Sequence, residues 1–176
     1  MLNPLAGRLE LCEKYELDSI VDAMSSYAGL PIDLQKQPID YLISSSNKCI
    51  QGMAGVSFVI ANKERLKATS NVQPRNLYLN LWGNHSYIEQ TGQFQFTPPV
   101  QIVYALDQAL VEFFKETQSG RTARYVRSYE TLLEGIEQTG LEMLLPESQH
   151  SKLLTAIVEP KSAEYNFKEM HDYFYE

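Results

Sequence analysis

Basic residues and histidines are scarce in this sequence of 176 residues. Its 15 lysines and arginines are outnumbered by 22 aspartates and glutamates, which gives a net charge of −7. Because a nucleic-acid partner requires a basic face, this class of partner is not expected. The 3 histidines lie far apart in the sequence and have no metal-ligand spacing, so no metal site is predicted.

Cysteines and long apolar runs are also few. Cys12 and Cys49 do not suffice for a disulfide framework or a zinc cluster, so we interpret them as free thiols in a reducing cytoplasm. Arg8, Glu10 and Glu13 interrupt the N-terminal segment, which therefore does not resemble a signal peptide. No segment has the length of a membrane span, and no membrane partner is expected.

The residues that are present predict a globular α/β protein. Hydrophobic residues make up 44% of the chain, which is enough for a buried core. Apolar residues at helical spacing alternate with short β-type runs, which is typical of helices packed on a mixed, mostly parallel sheet. The predicted strands cover 17–22, 41–43, 56–60, 141–145 and 153–158. The predicted helices cover 2–15, 63–66, 76–90, 100–114, 123–137 and 167–176.

The most informative stretch runs from Asp40 to Gly55. In it, the apolar run from Tyr41 to Ile43 stops in hydroxyls, an amide and Lys48, and a second apolar run follows. Two β-type runs around a polar loop with glycines are typical of strand ends that carry a site. A lysine at such a place can act as a nucleophile. The alternative interpretation is a solvated loop charge, which is common for a lysine after a strand.

An aspartate points to one chemistry for this lysine. Asp22 ends an earlier β-type run, and the carboxyl edge of an α/β sheet is where such folds bind ligands. Pyridoxal 5'-phosphate (PLP) requires a lysine that binds its aldehyde and a carboxylate that keeps its ring nitrogen protonated. Lys48 and Asp22 are therefore the predicted pair.

Three blocks of sequence also resemble a known family. These blocks are Ile20–Gly29, Ser44–Gly52 and Gln93–Pro99, and they follow one another in the family's order and spacing. They resemble the 2-aminoethylphosphonate:pyruvate aminotransferases, which belong to the class V, fold-type I PLP-dependent aminotransferases. The similarity runs from about Gly7 to the last residue. The context Asn47–Cys49 differs from the histidine–lysine pair that is usual in cysteine desulfurases of the same class.

The resemblance implies a cofactor, a reaction and a set of site residues. It implies PLP and the transamination of 2-aminoethylphosphonate with pyruvate, which yields phosphonoacetaldehyde and alanine. Lys48 would be the catalytic residue, and Asp22, Ser45 and Asn47 would contact the cofactor. Thr97 would reach the cofactor phosphate of a neighbouring subunit. On pattern alone Thr97 is a helix N-cap, and the two roles are compatible because helix N-termini favour anions.

The domain organisation follows partly from a polar segment and partly from the resemblance. Residues 117–122 are polar and are interpreted as a domain boundary. Residues 1–118 would be the C-terminal half of the large PLP-binding domain, and 119–176 would begin a smaller α+β domain. The family's upstream phosphate cup and downstream carboxylate-binding arginine are not matched by this sequence. We therefore expect an incomplete portion of a homodimeric enzyme.

Two other functions stay open at this point. The first is another class V aminotransferase, one that uses alanine or serine with glyoxylate or pyruvate, which would bind PLP in the same way but would not turn over an aminophosphonate. The second is a catalytically silent α/β module that acts only through protein contacts. This last function predicts a folded protein that is indifferent to PLP.

Overall fold

The computed structural model describes residues 3–175. In that part of the chain no helix is both long and apolar enough to cross a bilayer. The described residues group into two compact units, of which the first is Asn3–Ala123 and the second starts at Arg124. The boundary between them falls inside a helix, and each unit is described separately below.

A three-stranded mixed sheet lies in the first unit. Its strands are β1 (Ile20–Asp22), β2 (Tyr41–Ser45) and β3 (Ser57–Ala61), and the three strands predicted for this region are confirmed. The order is β1-β2-β3, with β1 parallel and β3 antiparallel to β2. As the middle strand, β2 carries Leu42, which is completely buried. Strand β3 lies at an edge of this sheet, and its β-branched and aromatic residues after Ser57 are half-buried.

A reciprocal pair of hydrogen bonds sets the relative position of β1 and β2. The backbone N–H of Ser19 donates to Oδ2 of Asp40 at 2.8 Å, and the N–H of Asp40 donates to Oγ of Ser19 at 2.8 Å. These residues immediately precede the two strands. Nε of Arg65 lies 3.3 Å from Oδ1 of Asp40 and holds the carboxylate from the other side. These bonds fix where β1 and β2 start, and therefore also which residues lie side by side at their ends.

Six helices accompany the sheet within residues 3–175, and their ends follow capping rules. Oδ1 of Asn62 accepts from the N–H of Glu64, which confirms the predicted cap, and a helix later ends at Gly140 in the left-handed region. The helices are α1 (Leu5–Lys14), α2 (Lys63–Ala68), α3 (Leu81–Thr91), α4 (Val100–Glu116), α5 (Gln118–Thr139) and α6 (Phe167–Tyr175). The predicted first and last helices included residues 2 and 176, which lie outside the described residues.

Two helix starts predicted from the sequence, at residues 76 and 123, are wrong. Helix α3 begins at Leu81 rather than at residue 76, because the side chain of Asn80 caps it by accepting from the N–H of Gly83 at 3.0 Å. The polar segment 117–122 is helical from Gln118 onward, and only Thr117 breaks the chain, with φ +69°. Oγ1 of Thr117 caps the new helix by accepting from Gly120. A polar composition therefore marked a sharp corner between two helices, not a loop.

The second unit has less sheet than the sequence predicts. The segments 141–145 and 153–158 meet in a single antiparallel bridge between Met143 and Ile157 and form no strands. Instead, a buried polar pair organises the unit. The hydroxyl of Tyr129 lies 2.5 Å from Nδ1 of His150, whose Nε2 lies 2.7 Å from the carbonyl oxygen of Leu145. Because a carbonyl only accepts, Nε2 carries the proton and Nδ1 accepts from the tyrosine.

Candidate active site

Asp22 and Ser45 end two neighbouring parallel strands at one edge of the sheet. Asp22 is in register with Ile43, and the N–H of the next residue donates to the carbonyl oxygen of Ile43 at 2.9 Å. Strand β2 continues two residues further, to Ser45, and Asn47 and Lys48 follow directly. Parallel strands present their carboxyl ends on the same side. The structure therefore places these four predicted site residues at a common edge.

Ser46 closes the loop that carries the lysine. The buried Oγ of Ser46 donates to the carbonyl oxygen of Met53 at 2.5 Å. The N–H of Ser46 donates to the carbonyl oxygen of Val56 at 3.0 Å. Its own carbonyl oxygen accepts from the N–H of Gly52 at 2.8 Å. A Cβ on Gly52 would lie 3.0 Å from that oxygen, so this close approach favours glycine. These bonds cross the loop and give it one defined shape.

The side chain of Lys48 takes no part in these internal bonds. Its side chain is exposed, and its amine has no hydrogen bond or ion pair with any residue from 3 to 175. Next to it, Oγ of Ser45 donates to Oδ1 of Asn47 at 3.0 Å, which orients the exposed amide. The amine of Lys48, the amide of Asn47 and the hydroxyl of Ser45 together suit a polar ligand with an electrophilic carbon, because the amine can attack that carbon.

Asp22 has one oxygen in use and one available. Its Oδ1 accepts from the N–H of Met24 at 2.9 Å, which shapes the turn after β1. The other oxygen has no partner among the described residues. Further along this turn, the ring of Tyr27 packs edge-on against Phe58 at 6.0 Å, and burial raises the pKa of Tyr27. The turn is therefore anchored on the sheet while the carboxylate of Asp22 stays exposed.

Thr97 is not the helix cap that its sequence pattern predicts. Helix α4 begins at Val100, its N-cap position is Pro99, and no side chain caps it. Two prolines separate Thr97 from the first helical residue and place its hydroxyl outside the capping position. The exposed hydroxyl has no hydrogen-bond partner within residues 3–175, and no hydrogen bond joins it to the Lys48 loop. Thr97 is thus available to a ligand but is not linked to the other predicted site residues.

An apolar pocket lies beside Thr97 rather than at the strand ends. Its volume is about 380 Å³, and it is lined by Phe94, Pro98, Val100, Val103, Tyr104 and Asp107. Neither Asp22 nor Lys48 contributes to this lining. The pocket has one carboxylate and no cation, so its chemistry suits an apolar group and does not suit the phosphate of a cofactor.

Arg121 is a residue of this region that the sequence analysis missed. It lies in the polar segment before the predicted fifth helix, yet its side chain is only 3% exposed and donates to the carbonyl oxygens of Cys49 and Ile50. Its partners lie 71 and 72 residues earlier in the chain. No local pattern reports such a long-range contact, and an arginine in a polar stretch is ordinarily read as solvated.

The side chains at the strand edge fit the chemistry of PLP. An unpaired lysine amine is available for the aldehyde, and a carboxylate oxygen without a partner is available for a protonated ring nitrogen. Ser45 and Asn47 add polar groups at the same edge. The residues present therefore match the group that the sequence predicted, apart from the phosphate, for which only Thr97 is a candidate.

Comparisons with known sequences point in the same direction. Residues 1–167 match the family described as aminotransferase class V. The 2-aminoethylphosphonate–pyruvate transaminase of Pseudomonas fluorescens (strain Pf0-1) is 38% identical over 173 residues, which are 98% of this chain and 47% of that protein. The enzyme of that name from Klebsiella pneumoniae is 41% identical over 169 residues, or 95% of this chain and 46% of the relative. The chain thus spans about half the length of the curated relatives it matches.

Solved structures confirm the fold. The ureidoglycine–glyoxylate aminotransferase of Bacillus subtilis superposes with a TM-score of 0.83 at 20% identity. The superposition covers 97% of this chain and 44% of the Bacillus subtilis protein. The pyridoxamine–pyruvate aminotransferase of Mesorhizobium loti gives a TM-score of 0.82 at 23% identity, with coverage of 92% and 42%. The predicted partial fold-type I architecture is therefore confirmed.

Proposed function

This chain belongs to the class V aminotransferase family, and we propose that it is the lysine-bearing portion of a PLP-dependent 2-aminoethylphosphonate:pyruvate aminotransferase. The observation that carries the proposal is the unpaired amine of Lys48 at the sheet edge where β1 ends in Asp22. The substrates are taken from the names of relatives that are 38% and 41% identical. The products would be phosphonoacetaldehyde and alanine.

Each predicted site residue has a distinct task in this proposal. Nζ of Lys48 would hold PLP through its aldehyde carbon, and the lysine amine would serve as the acid and base that moves a proton at the substrate carbon. Asp22 holds the ring nitrogen in its protonated form. When bound, PLP supplies an electron sink for the carbon that loses the proton. Ser45 and Asn47 would contact polar atoms of the cofactor, with the Asn47 amide oriented by the Ser45 hydroxyl, and Thr97 would bind the phosphate of PLP held by a second subunit.

The proposal includes a homodimer in the cytoplasm. Helix α4 carries Tyr104 and Phe114, which are 74% and 72% exposed, and an exposed apolar face of this kind favours association. Cys12 and Cys49 are not joined in a disulfide within residues 3–175, which suits a reducing compartment. Sedimentation should give the mass of a dimer for the parent and of a monomer for Tyr104→Glu. A parent that sediments as a monomer at all concentrations would contradict this part of the proposal.

The covalent attachment of PLP tests the central claim. The chain is titrated with PLP, reduced with borohydride, digested and mapped by mass spectrometry. We expect the label at Lys48, and we expect Lys48→Ala to lose it while Lys36→Ala keeps it. Lys36 is a matched control because it is an exposed lysine whose amine pairs with Asp33 at 3.1 Å. A label spread evenly over the surface lysines, or none, would favour the catalytically silent module.

The choice of amino donor separates the two enzymatic alternatives. Addition of 2-aminoethylphosphonate to the PLP-loaded chain should change the absorbance of the bound cofactor and release phosphonoacetaldehyde in a single turnover. Alanine and serine serve as comparison donors under the same conditions. A response to alanine or serine with none to 2-aminoethylphosphonate would assign the chain to another class V activity.

A further inference from the structure

A buried arginine on α5 holds the backbone that follows Lys48. Nη1 of Arg121 donates to the carbonyl oxygen of Cys49 at 2.8 Å and to that of Ile50 at 3.0 Å. All three residues are buried. Buried carbonyl groups are costly to leave without a donor, and a charged donor makes the stronger bonds. One guanidinium nitrogen therefore satisfies the two residues next to the lysine.

The side chain of Arg121 is held in place by two residues at the end of α4. Its Nε donates to Oε2 of Glu116 at 2.7 Å, and its guanidinium carbon lies 5.0 Å from the ring centroid of Phe113. The guanidinium is planar and rigid, so bonds on two of its nitrogens fix its orientation. The short corner at Thr117 places Glu116 and Arg121 on successive helices. The Lys48 loop is thus tied to the α4–α5 corner through one side chain.

The bonds from Arg121 fall within a strained turn. The N–H of Gln51 donates to the carbonyl oxygen of Lys48 at 2.8 Å, and Gln51 has φ +67°, a conformation that side-chain-bearing residues rarely adopt. Such a conformation persists only where surrounding contacts enforce it. The two carbonyl groups that Arg121 holds belong to the residues between Lys48 and Gln51. Without them the turn can relax and release the lysine from its place.

We propose that Arg121 is a positioning residue that fixes the Lys48 loop for attachment of the cofactor. The proposal rests on the proposed function for the role of Lys48, but the control of the loop by Arg121 stands on geometry alone. Within residues 3–175, Arg121 donates to the carbonyl oxygens of the two residues after Lys48, and no hydrogen bond or ion pair joins it to Nζ of Lys48. Its effect is therefore on where the lysine is held, not on the chemistry of the amine.

Hydrogen exchange tests control of the loop without any cofactor. In Arg121→Met, the amides of Gln51 and Gly52 should exchange at least about tenfold faster than in the parent, because the turn opens more often. Amides of β2 should exchange as before. Arg127→Met is the matched control, since Arg127 is an exposed arginine on the same helix. Equal exchange of the loop in Arg121→Met and the parent would overturn the proposal.

Attachment of PLP to Lys48 then tests the consequence for the site. At equal folded concentration, Arg121→Met should capture PLP at Lys48 about 10- to 100-fold more weakly than the parent, because a misplaced group reacts poorly. Arg121→Lys should recover part of this loss, since a lysine amine can reach the carbonyl groups or Glu116 but does not bridge both. Unchanged capture in a folded Arg121→Met would overturn the positioning role.

Two further results distinguish failure of the positioning role from a folding defect and from failure of the proposed function. If Arg121→Met does not fold, Glu116→Gln replaces it, because this variant removes the charge behind the arginine and keeps a hydrogen-bonding oxygen. Faster loop exchange and weaker capture in Glu116→Gln would then support the proposal, and parent-like values would overturn it. If the parent itself captures no PLP at Lys48, the proposed function fails, while the exchange data still decide whether Arg121 fixes the loop.

Discussion

Replacing Asp22 with asparagine separates its structural from its chemical role. Oδ1 of Asp22 accepts from the N–H of Met24 at 2.9 Å, and the second oxygen has no partner in the described part of the chain. Asp22→Asn keeps an oxygen for Met24 and removes the charge. Its free energy of unfolding should stay within about 0.5 kcal/mol of the parent value. Asp22→Ala also loses the hydrogen bond and should be destabilised by about 0.5–1.5 kcal/mol.

The chemical role predicts a change in the bound cofactor. An opposite charge in contact shifts a pKa by about 1–3 pH units. The pKa of the PLP ring nitrogen should therefore be lower by about 1–3 pH units in Asp22→Asn than in the parent. In free energy this is about 1.4–4 kcal/mol in favour of the unprotonated ring. The assay is a pH titration of the absorbance of PLP that has been fixed to Lys48 by borohydride, so that the bond to the lysine is the same in every sample.

The control for this experiment is Asp33→Asn. Oδ1 of Asp33 accepts from the N–H of Gln35 at 3.0 Å, which is the same local arrangement in the connection between β1 and β2. Asp33→Asn should leave the pKa of the ring nitrogen unchanged. The reasoning is refuted if Asp22→Asn also leaves it unchanged, because Asp22 is then not the ring partner. It is also refuted if asparagine destabilises the fold as much as alanine does.

Two predictions concern stability. Burial raises the pKa of Tyr129, so the folded protein keeps a proton that the unfolded chain releases above about pH 10, and stability should fall as the pH rises further. Urea unfolding at several alkaline pH values should show a steeper fall for the parent than for Tyr129→Phe, and parallel curves would contradict this. Gly55 has φ +130°, which side-chain-bearing residues rarely adopt, and a Cβ there would overlap Cδ1 of Ile102, whose side chain would have to move. Gly55→Ala should therefore cost about 2–4 kcal/mol, against about 1 kcal/mol for Gly92→Ala, where space is open, and equal losses would refute the steric argument.

Local sequence signals were sufficient where a structure depends on neighbouring residues. The cap at Asn62, the helix end at Gly140 and the three strands of the first unit follow from capping chemistry, glycine conformation and apolar patterning. Two local predictions are wrong, the helix cap at Thr97 and the helix start at residue 123, because the same polar composition is compatible with a cap, a loop or a sharp corner between helices. At Thr97 the two prolines before Val100 decide the outcome, and at Thr117 the positive φ of that one residue does.

The sequence by itself indicated which side chains are candidates for the chemistry, because a lysine and a carboxylate at the ends of β-type runs are visible without coordinates. Strand direction also follows from this pattern, so the common edge of Asp22 and Lys48 was predictable. Only the tertiary structure showed that the amine of Lys48 has no partner among residues 3–175 and that Arg121 holds the next two carbonyl groups. The physical reason is that these contacts join residues about seventy positions apart, and no local propensity encodes which buried carbonyl a distant arginine will reach.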